Sequence, residues 1–330
     1  MVNSSALADE NATIPTAAMN SLISACGRNG RPDMALRILN EMQFQFGIVP
    51  DEISYRSAAI ACNQAEHEKR RRLALGLEPR YNFEYEGNGL QWWECTLSLL
   101  RRMNENGLQA DPQTYSSVIS ACEAAGEWQR ALGVLRAMMS SKLGFSRFNL
   151  YCFNAAISAC EKGGAWVEGL ELYHRMMHKG GKIRPNFVTV NCMIIALDKA
   201  NQKEMAQDTY EEAIRKRILN PWRMTKDFPG NSIRALDLHR NSGSMAKSAI
   251  RSVMESLFEA KPQHDVNQDL VIIVGKGKGS DNNKSVLLPT AQTLLQNEYG
   301  IDVQVDKYNS GRLIVGSSVL SKYAAAKKWR

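Results

Sequence analysis

Three groups of residues in this chain have types and spacings that could do chemistry. The first is a cysteine word written four times: SACGRNG at 24–30, IACNQAE at 60–66, SACEAAG at 120–126 and SACEKGG at 158–164. A thiol beside glycines suits a metal ligand or a nucleophile. The second is Asp237-Leu238-His239. Two residues apart on a strand, Asp237 and His239 share one face, where His239 can act as general acid or base and Asp237 can orient it or bind a metal. The third is GKGKGS, residues Gly275, Lys276, Gly277, Lys278, Gly279 and Ser280. Its glycines let backbone N–H groups approach a phosphate, and the two lysines add charge. It lacks the G-x₄-G-K-[ST] spacing of a nucleotide-binding loop.

The elements that carry these residues decide which chemistry survives. Cys26, Cys62, Cys122 and Cys160 stand 36, 60 and 38 residues apart. Each sits in one pattern: an aromatic or apolar residue and a polar one, an apolar stripe ending at the cysteine, often a glycine, then an amphipathic stretch ending in Met. The first unit reads MNSLISACGRNGRPDMALRILNEM followed by GIVPD, the third YSSVISACEAAGEWQRALGVLRAMM, and the fourth FNAAISACEKGGAWVEGLELYHRMM followed by IRPN. A fifth, VNCMIIALDKANQKEMAQDTYEEAIRKR, lacks the cysteine at that place. The second, from YRSAAIAC, resumes at QWWECTLSLLRRMNENGLQAD after an insertion at 63–90. A period in the mid-thirties with apolar residues three and four apart means helical hairpins. In that setting each cysteine is a small hydrophobe at the end of a helix stripe. Seven cysteines without a CxxC support neither a paired-ligand zinc site nor a full disulfide set, and fit a reducing compartment.

Composition agrees with a soluble globular chain, at 44% hydrophobic and 23% charged residues. No apolar run approaches the roughly 18 residues of a membrane span. The start, MVNSSALADENAT, reads neither as a secretory signal nor as a transit peptide. Net charge is +7, and residues 226–330 hold 15 Lys/Arg against 10 Asp/Glu, so most of the excess lies there and favours a polyanionic partner. KRRR at 69–72, inside the insertion, reads as a phosphate contact, a nuclear signal or a solvated loop.

The repeats over residues 16–221 resemble the pentatricopeptide repeat (PPR) family, with its TYNxLIxAxxKxGxxxxAxxLFxEMxxxGIxPD character. The resemblance implies an α-helical PPR solenoid, an α/α superhelix, that binds single-stranded RNA one base per repeat. The base-reading positions it implies are the polar residue early in each first helix, Asn20, Arg56, Ser116, Asn154 and Asn191. Beside them stand the unit-ending residues Asp51, Asp111, Asn149, Asn186 and, degenerately, Pro221. A carboxylate only accepts and suits the ring N–H of U or G, whereas an amide also donates and suits the ring nitrogen of A or C. The family rule adds pyrimidines for an early Asn and purines for an early Ser. The first unit then selects U, the third A, and the fourth C or U; Arg56 leaves the second unassigned and Pro221 the fifth half-assigned. Taken without the repeat context, the same residues are polar helix starts.

After NPWRMTKDFPGN, taken as a linker at 222–231, the pattern changes. SIRALDLHR reads as a strand, SMAKSAIRSVMESLFEA as a helix, DLVIIV as a buried strand, VLLPTAQTLLQNEYG as a helix, IDVQVDKY and GRLIVG as strands, and SSVLSKYAAAKKWR as a terminal helix. That order gives a small α/β layer. LDLH, GKGKGS and the tail NSGRLIV, with Arg312, resemble the Smr (small MutS-related) domain over residues 232–316. Residues 232–330 are assigned to it, with 1–15 as a tail or truncated repeat. The sequence departs from the family pattern at Arg240, where glycine is usual, at Val274 for threonine and at Gly279 for the second histidine.

PPR repeats followed by Smr look like the PPR–SMR proteins of chloroplasts and mitochondria. The resemblance implies a single-stranded RNA partner, other organelle gene-expression proteins as further partners, and action in RNA processing or stability. A second reading is an endonuclease that the repeats guide and the Smr domain performs, with a divalent metal such as Mg²⁺ as its cofactor; Gly279 favours binding without cleavage, and the intact Asp237-Leu238-His239 keeps cleavage open. A third is a helical scaffold for proteins. Five units are few for unique targeting, which leaves room for repeats upstream of Met1.

Overall fold

The computed structural model describes residues 15–79, 91–140, 147–178, 183–227, 230–258, 263–276 and 285–327, with the side chains of 147–149 and 327 excepted. By internal contacts the chain divides into two units, Met1–Ala165 and Trp166–Arg330.

The first unit is an array of helical hairpins. Its helices are α1 (Thr16–Arg28), α2 (Pro32–Phe46), α3 (Glu52–Ala74), α4 (Trp92–Glu105), α5 (Pro112–Ala125), α6 (Trp128–Ser140) and α7 (Arg147–Lys162). The first helices α1, α3, α5 and α7 stack in order, and α2, α4 and α6 pack against them in a second row. The cysteine words lie in the first row. Ala61, Ala121, Cys122, Ala159, Cys62 and Cys160 are all at most 2% exposed. Small residues let these helices approach closely: a Cβ on Gly27 would stand 2.9 Å from the Cβ of Ala61. Burial pushes the Cys122 thiol up to about 12 and that of Cys62 well above its ordinary value. These are inert packing groups. The methionines that end the second helices, Met42, Met103 and Met138, are buried beneath them. SACEKGG ends in two glycines with separate tasks. Gly164 turns the chain at φ +72°, and Gly163 leaves room for the Trp128 ring, whose Cδ1 would lie 2.2 Å from an added Cβ.

The expected insertion at 63–90 is in part helix. α3 continues through Ala74, because EHEKRRR is built of good helix formers and Arg70 Nε donates to Glu66 Oε1 at 2.9 Å one turn back. KRRR is therefore the end of a helix and not a loop. Lys69 donates to Gln91, and Arg72 Nε to the Glu78 carbonyl at 2.7 Å. Gly76, at φ +68°, turns the chain after it.

The second unit begins with α8 (Trp166–Met177), α9 (Phe187–Lys199) and α10 (Lys203–Arg215). It continues as β1 (Trp222–Lys226), β2 (Ser232–Asp237), α11 (Gly243–Ser256), β3 (Leu270–Ile273), α12 (Leu287–Tyr299), β4 (Gln304–Val305), β5 (Arg312–Val315) and α13 (Ser317–Lys327). The sheet order is β1-β2-β3-β5-β4, with β2 and β3 parallel and the other neighbours antiparallel. Leu236, Ile272 and Leu313 share a face by register and are fully buried, as are Ala249 of α11 and Leu295 of α12. The residues taken as a linker at 222–231 are in fact partly a strand. β1 pairs Trp222 with Leu236 through Lys226 with Ser232, and the Arg234 guanidinium stands 4.2 Å over the Trp222 ring.

Candidate nucleic-acid interface

Three of the unit-ending residues, Asp51, Asp111 and Asn186, meet the next helix at its start. Asp51 is the N-cap of α3, and its Oδ1 accepts from the Ser54 amide at 2.8 Å. Asp111 caps α5 through the Thr114 amide at 2.8 Å, and Asn186 caps α9 through the Thr189 amide at 3.1 Å. These bonds satisfy the orphan donors of a helix start. They also hold each side chain beside the preceding unit's early polar residue in two places. Asn20 Nδ2 donates to Asp51 Oδ1 at 3.0 Å, and Arg56 Nη1 reaches Asp111 Oδ2 at 2.6 Å. The first pair is enclosed. Asn20 is 6% exposed, and its Oδ1 accepts from the Ser54 hydroxyl at 2.5 Å.

The other expected positions are placed differently. Ser116, half-buried on α5, hydrogen-bonds the Cys152 thiol, which burial pushes up to about 11. Asn154 is half-buried on α7. α7 starts at Arg147, so Asn149 stands inside the helix and not at its cap; its side chain lies outside the described residues. Asn191 Oδ1 accepts from the Ser242 hydroxyl at 2.7 Å, and the Pro221 carbonyl accepts from the Asp237 amide at 2.7 Å.

One set of residues was missed by the sequence reading. Ile53, Tyr151 and Val188 are 45%, 65% and 48% exposed. Each stands three residues before an early polar position, at Arg56, Asn154 and Asn191, and so on the same helix face one turn away. An exposed apolar side chain there can pack on the π-face of a base whose edge meets the polar residue. The signal in the sequence was an apolar residue near the start of the helix, three positions before the early polar residue, that falls outside the buried stripe.

In the sheet region, β2 delivers Asp237 and His239 to its carboxyl end. His239 Nδ1 bonds Asp237 Oδ1, and the His239 amide also donates to that oxygen at 3.2 Å. Arg223 Nη1 stands 3.5 Å from Asp237 Oδ2. β3, parallel to β2, ends beside the same pair. A Cβ on Gly275, at φ +76°, would meet the His239 Cβ at 3.7 Å. The motif glycine Gly311 lies under this loop, accepting from the Val274 and Gly275 amides at 2.9 and 3.1 Å; a Cβ there would meet Lys276 Cγ at 3.0 Å. Asp237, His239, Gly275 and Lys276 are thus brought together, whereas Gly277, Lys278, Gly279 and Ser280 lie outside the described residues. Arg312 turns elsewhere: Nη1 donates to the Lys226 carbonyl at 2.8 Å and Nη2 to Thr225 Oγ1 at 2.5 Å, so the guanidinium ties β1 to β5.

An imidazole whose Nδ1 is held by a carboxylate has its tautomer fixed and can exchange a proton at Nε2. The donor set suits that role better than metal ligation. Asp237 Oδ1 is taken by His239 and Oδ2 faces Arg223, and among the described residues no three His, Cys, Asp or Glu side chains cluster as a metal would need.

Residues 16–62 match the family model described as PPR repeat family, 98–162 the pentatricopeptide repeat domain, and 151–181 the PPR repeat. Two Arabidopsis thaliana pentatricopeptide repeat-containing proteins are each 27% identical. One, named as chloroplastic, aligns over 126 residues, 38% of this chain and 11% of its own length. The other aligns over 166 residues, 38% of this chain and 24% of its own length. The chain thus spans a small part of these relatives. Among solved structures, the PPR domain of Arabidopsis thaliana protein-only RNase P 1 in complex with tRNA has a TM-score of 0.48 at 12% identity, covering 63% of this chain and 92% of that one. The pentatricopeptide repeat protein PPR10 from maize has a TM-score of 0.46 at 17% identity, covering 73% and 27%.

Proposed function

We propose that the helical hairpins bind single-stranded RNA, one base to a repeat, and that the region from β1 to α13 is an Smr-type nucleic-acid-binding module acting with them in organelle RNA processing or stability. The observation that carries this reading is the 3.0 Å bond from Asn20 to Asp51, which sets the first unit's early and unit-ending residues side by side as a base-reading pair requires. The exposed Ile53, Tyr151 and Val188 supply stacking surface one turn away. The PPR matches over residues 16–62 and 98–181 and the relative named as chloroplastic support the RNA partner and the compartment.

The test is selection from random RNA. Asp51→Asn keeps an equally good helix cap and exchanges an acceptor-only group for one that also donates, so the first unit's preference moves from U toward C. Equal affinity for duplex and single strand, or an unchanged preference in Asp51→Asn, would sink the reading.

The His239–Asp237 contact favours a second reading, in which the module also cleaves RNA. His239 then moves a proton at the reacting oxygen, with Asp237 orienting the ring and stabilising its charged form. In that case His239→Ala lowers cleavage of end-labelled RNA by about 10²–10⁴-fold and leaves RNA affinity unchanged. Cleavage that is equal in the variant ends this assignment.

A further inference from the structure

The fifth hairpin, α9 and α10, differs from the others in what touches its reading positions. Both are occupied from within the same unit of the chain. Ser242, the residue that caps α11, donates its hydroxyl to Asn191 Oδ1 at 2.7 Å. The Asp237 amide, at the end of β2, donates to the Pro221 carbonyl at 2.7 Å. Two α-helical turns further along α9, Asp198 Oδ2 accepts from the Ser244 hydroxyl at 2.6 Å and from Lys247 Nζ at 3.1 Å. Burial would raise the Asp198 carboxyl, but these two donors hold it below its ordinary value. The cleft that remains beside Pro221 is about 120 Å³, walled by Phe187, Tyr210, Asp237 and Met245. That is smaller than the few hundred Å³ typical of a ligand site.

Asn20 is engaged by Asp51 and Ser54, groups of the hairpins themselves, whereas the groups on the fifth hairpin's reading positions come from β2 and α11, outside the hairpins. At Asn191 the acceptor half is already taken, and Pro221 brings no side-chain donor or acceptor at all. We infer that the fifth hairpin reads no base: it is the seat of the C-terminal α/β module, and Ser242 is the residue that masks its reader. This inference rests on the RNA-reading function proposed above. It gives Asn191 and Asp198 a common task, fastening α11 to α9, and it makes the number of bases specified smaller than the number of hairpins.

The experiment is selection from random RNA with the full chain, using three variants. Asn154→Ser is the control for reading, and shifts one position from pyrimidine to purine by roughly fivefold or more, the discrimination of one well-made base contact. Asn191→Ser shifts no position. Ser242→Gly retains a tolerated helix cap and removes the masking hydroxyl, so one further selected position appears; an unchanged thermal unfolding curve shows that the module has stayed folded. A shift in Asn191→Ser as large as that in Asn154→Ser overturns the inference. So does a folded Ser242→Gly protein that gains no position. If Asn154→Ser also shifts nothing, base reading itself fails, and the inference falls with it.

Discussion

Arg56 and Asp111 form an ion pair, Nη1 to Oδ2 at 2.6 Å, at the second hairpin's early and unit-ending positions, where the first hairpin has Asn20 and Asp51. The pair is about a third exposed on each side, 30% and 33%, so its worth is at most about 1 kcal/mol. The guanidinium occupies the carboxylate that a base would otherwise meet. Arg56→Asn therefore leaves unfolding free energy within about 1 kcal/mol of the parent and makes the second hairpin select U, as the first does. Selection from random RNA that shows no new U position in this variant would refute the assignment.

The two aspartate caps predict a defined acid response. Burial raises both carboxyls, but hydrogen bonds from Ser54 and Asn20 to Asp51, and from Thr114 and Arg56 to Asp111, outweigh it and hold both below the ordinary value. A folded-state value lowered in this way means stability that is fully present above the unfolded-state Asp value of about 3.9 and is lost as pH falls through the lowered folded-state value. Denaturant midpoints, followed from neutral to about pH 3, fall over this range in the parent chain. The fall is shallower in the Asp51→Asn, Asp111→Asn double variant, which retains capping oxygens but has no charge to lose. An equal slope in both proteins contradicts the prediction.

Two glycine substitutions, one just past the end of α7 and one within α6, should act in opposite directions. A Cβ on Gly163 would stand 2.2 Å from the Trp128 ring and 3.2 Å from the Ala159 carbonyl oxygen, whereas one on Gly133, within α6, meets nothing within 4 Å. Gly163→Ala is expected to cost about 1–3 kcal/mol through overpacking. Gly133→Ala is expected to gain about 0.5–1 kcal/mol from helix propensity. Thermal unfolding of the two variants beside the parent decides both signs.

Arg240 holds φ +73°, a left-handed backbone conformation, immediately after His239. A side chain in that region costs about 1–2 kcal/mol. Arg240→Gly therefore raises the stability of the chain by about 1 kcal/mol, measured as a higher unfolding midpoint. A lower midpoint would mean that the arginine side chain makes contacts worth more than the backbone strain.

Much of this architecture follows directly from local pattern. The three- and four-residue apolar spacing around Cys62, Cys122 and Cys160 does place those thiols in the stacked first helices. The succession from SIRALDLHR to SSVLSKYAAAKKWR does run strand, helix, strand, helix, strand, strand, helix. What escaped is what only tertiary pairing creates. WRMTK has no clean alternation and lies between Pro221 and Pro229; it becomes β1 because β2 folds back beside it and Trp222 stacks under Arg234. The end of α3 was hidden by charge, since EHEKRRR lacks the apolar stripe that marks the other helices. Arg312 lay in a motif associated with phosphate, yet its fork meets Thr225 and Lys226, residues more than eighty positions away. Ser242 carried no signal beyond a good helix cap, and its bond to Asn191 exists only once α11 rests on α9.

The placing of Asp51, Asp111 and Asn186 at helix starts has one more consequence. Asp51 and Asp111 each belong to two hairpins at once, facing the early polar position of the one they close while starting the first helix of the one that follows, and Asn186 starts α9 in the same way. Any residue installed there to alter base choice must also begin a helix, a role filled well by Asn, Asp, Ser, Thr and Gly. The recognition alphabet at these positions is thus restricted to a few letters by folding, before any nucleotide is involved. Retargeting by exchange between aspartate and asparagine stays inside that alphabet, whereas a longer or apolar residue would alter the reading of one base by loosening the hairpin meant to read the next.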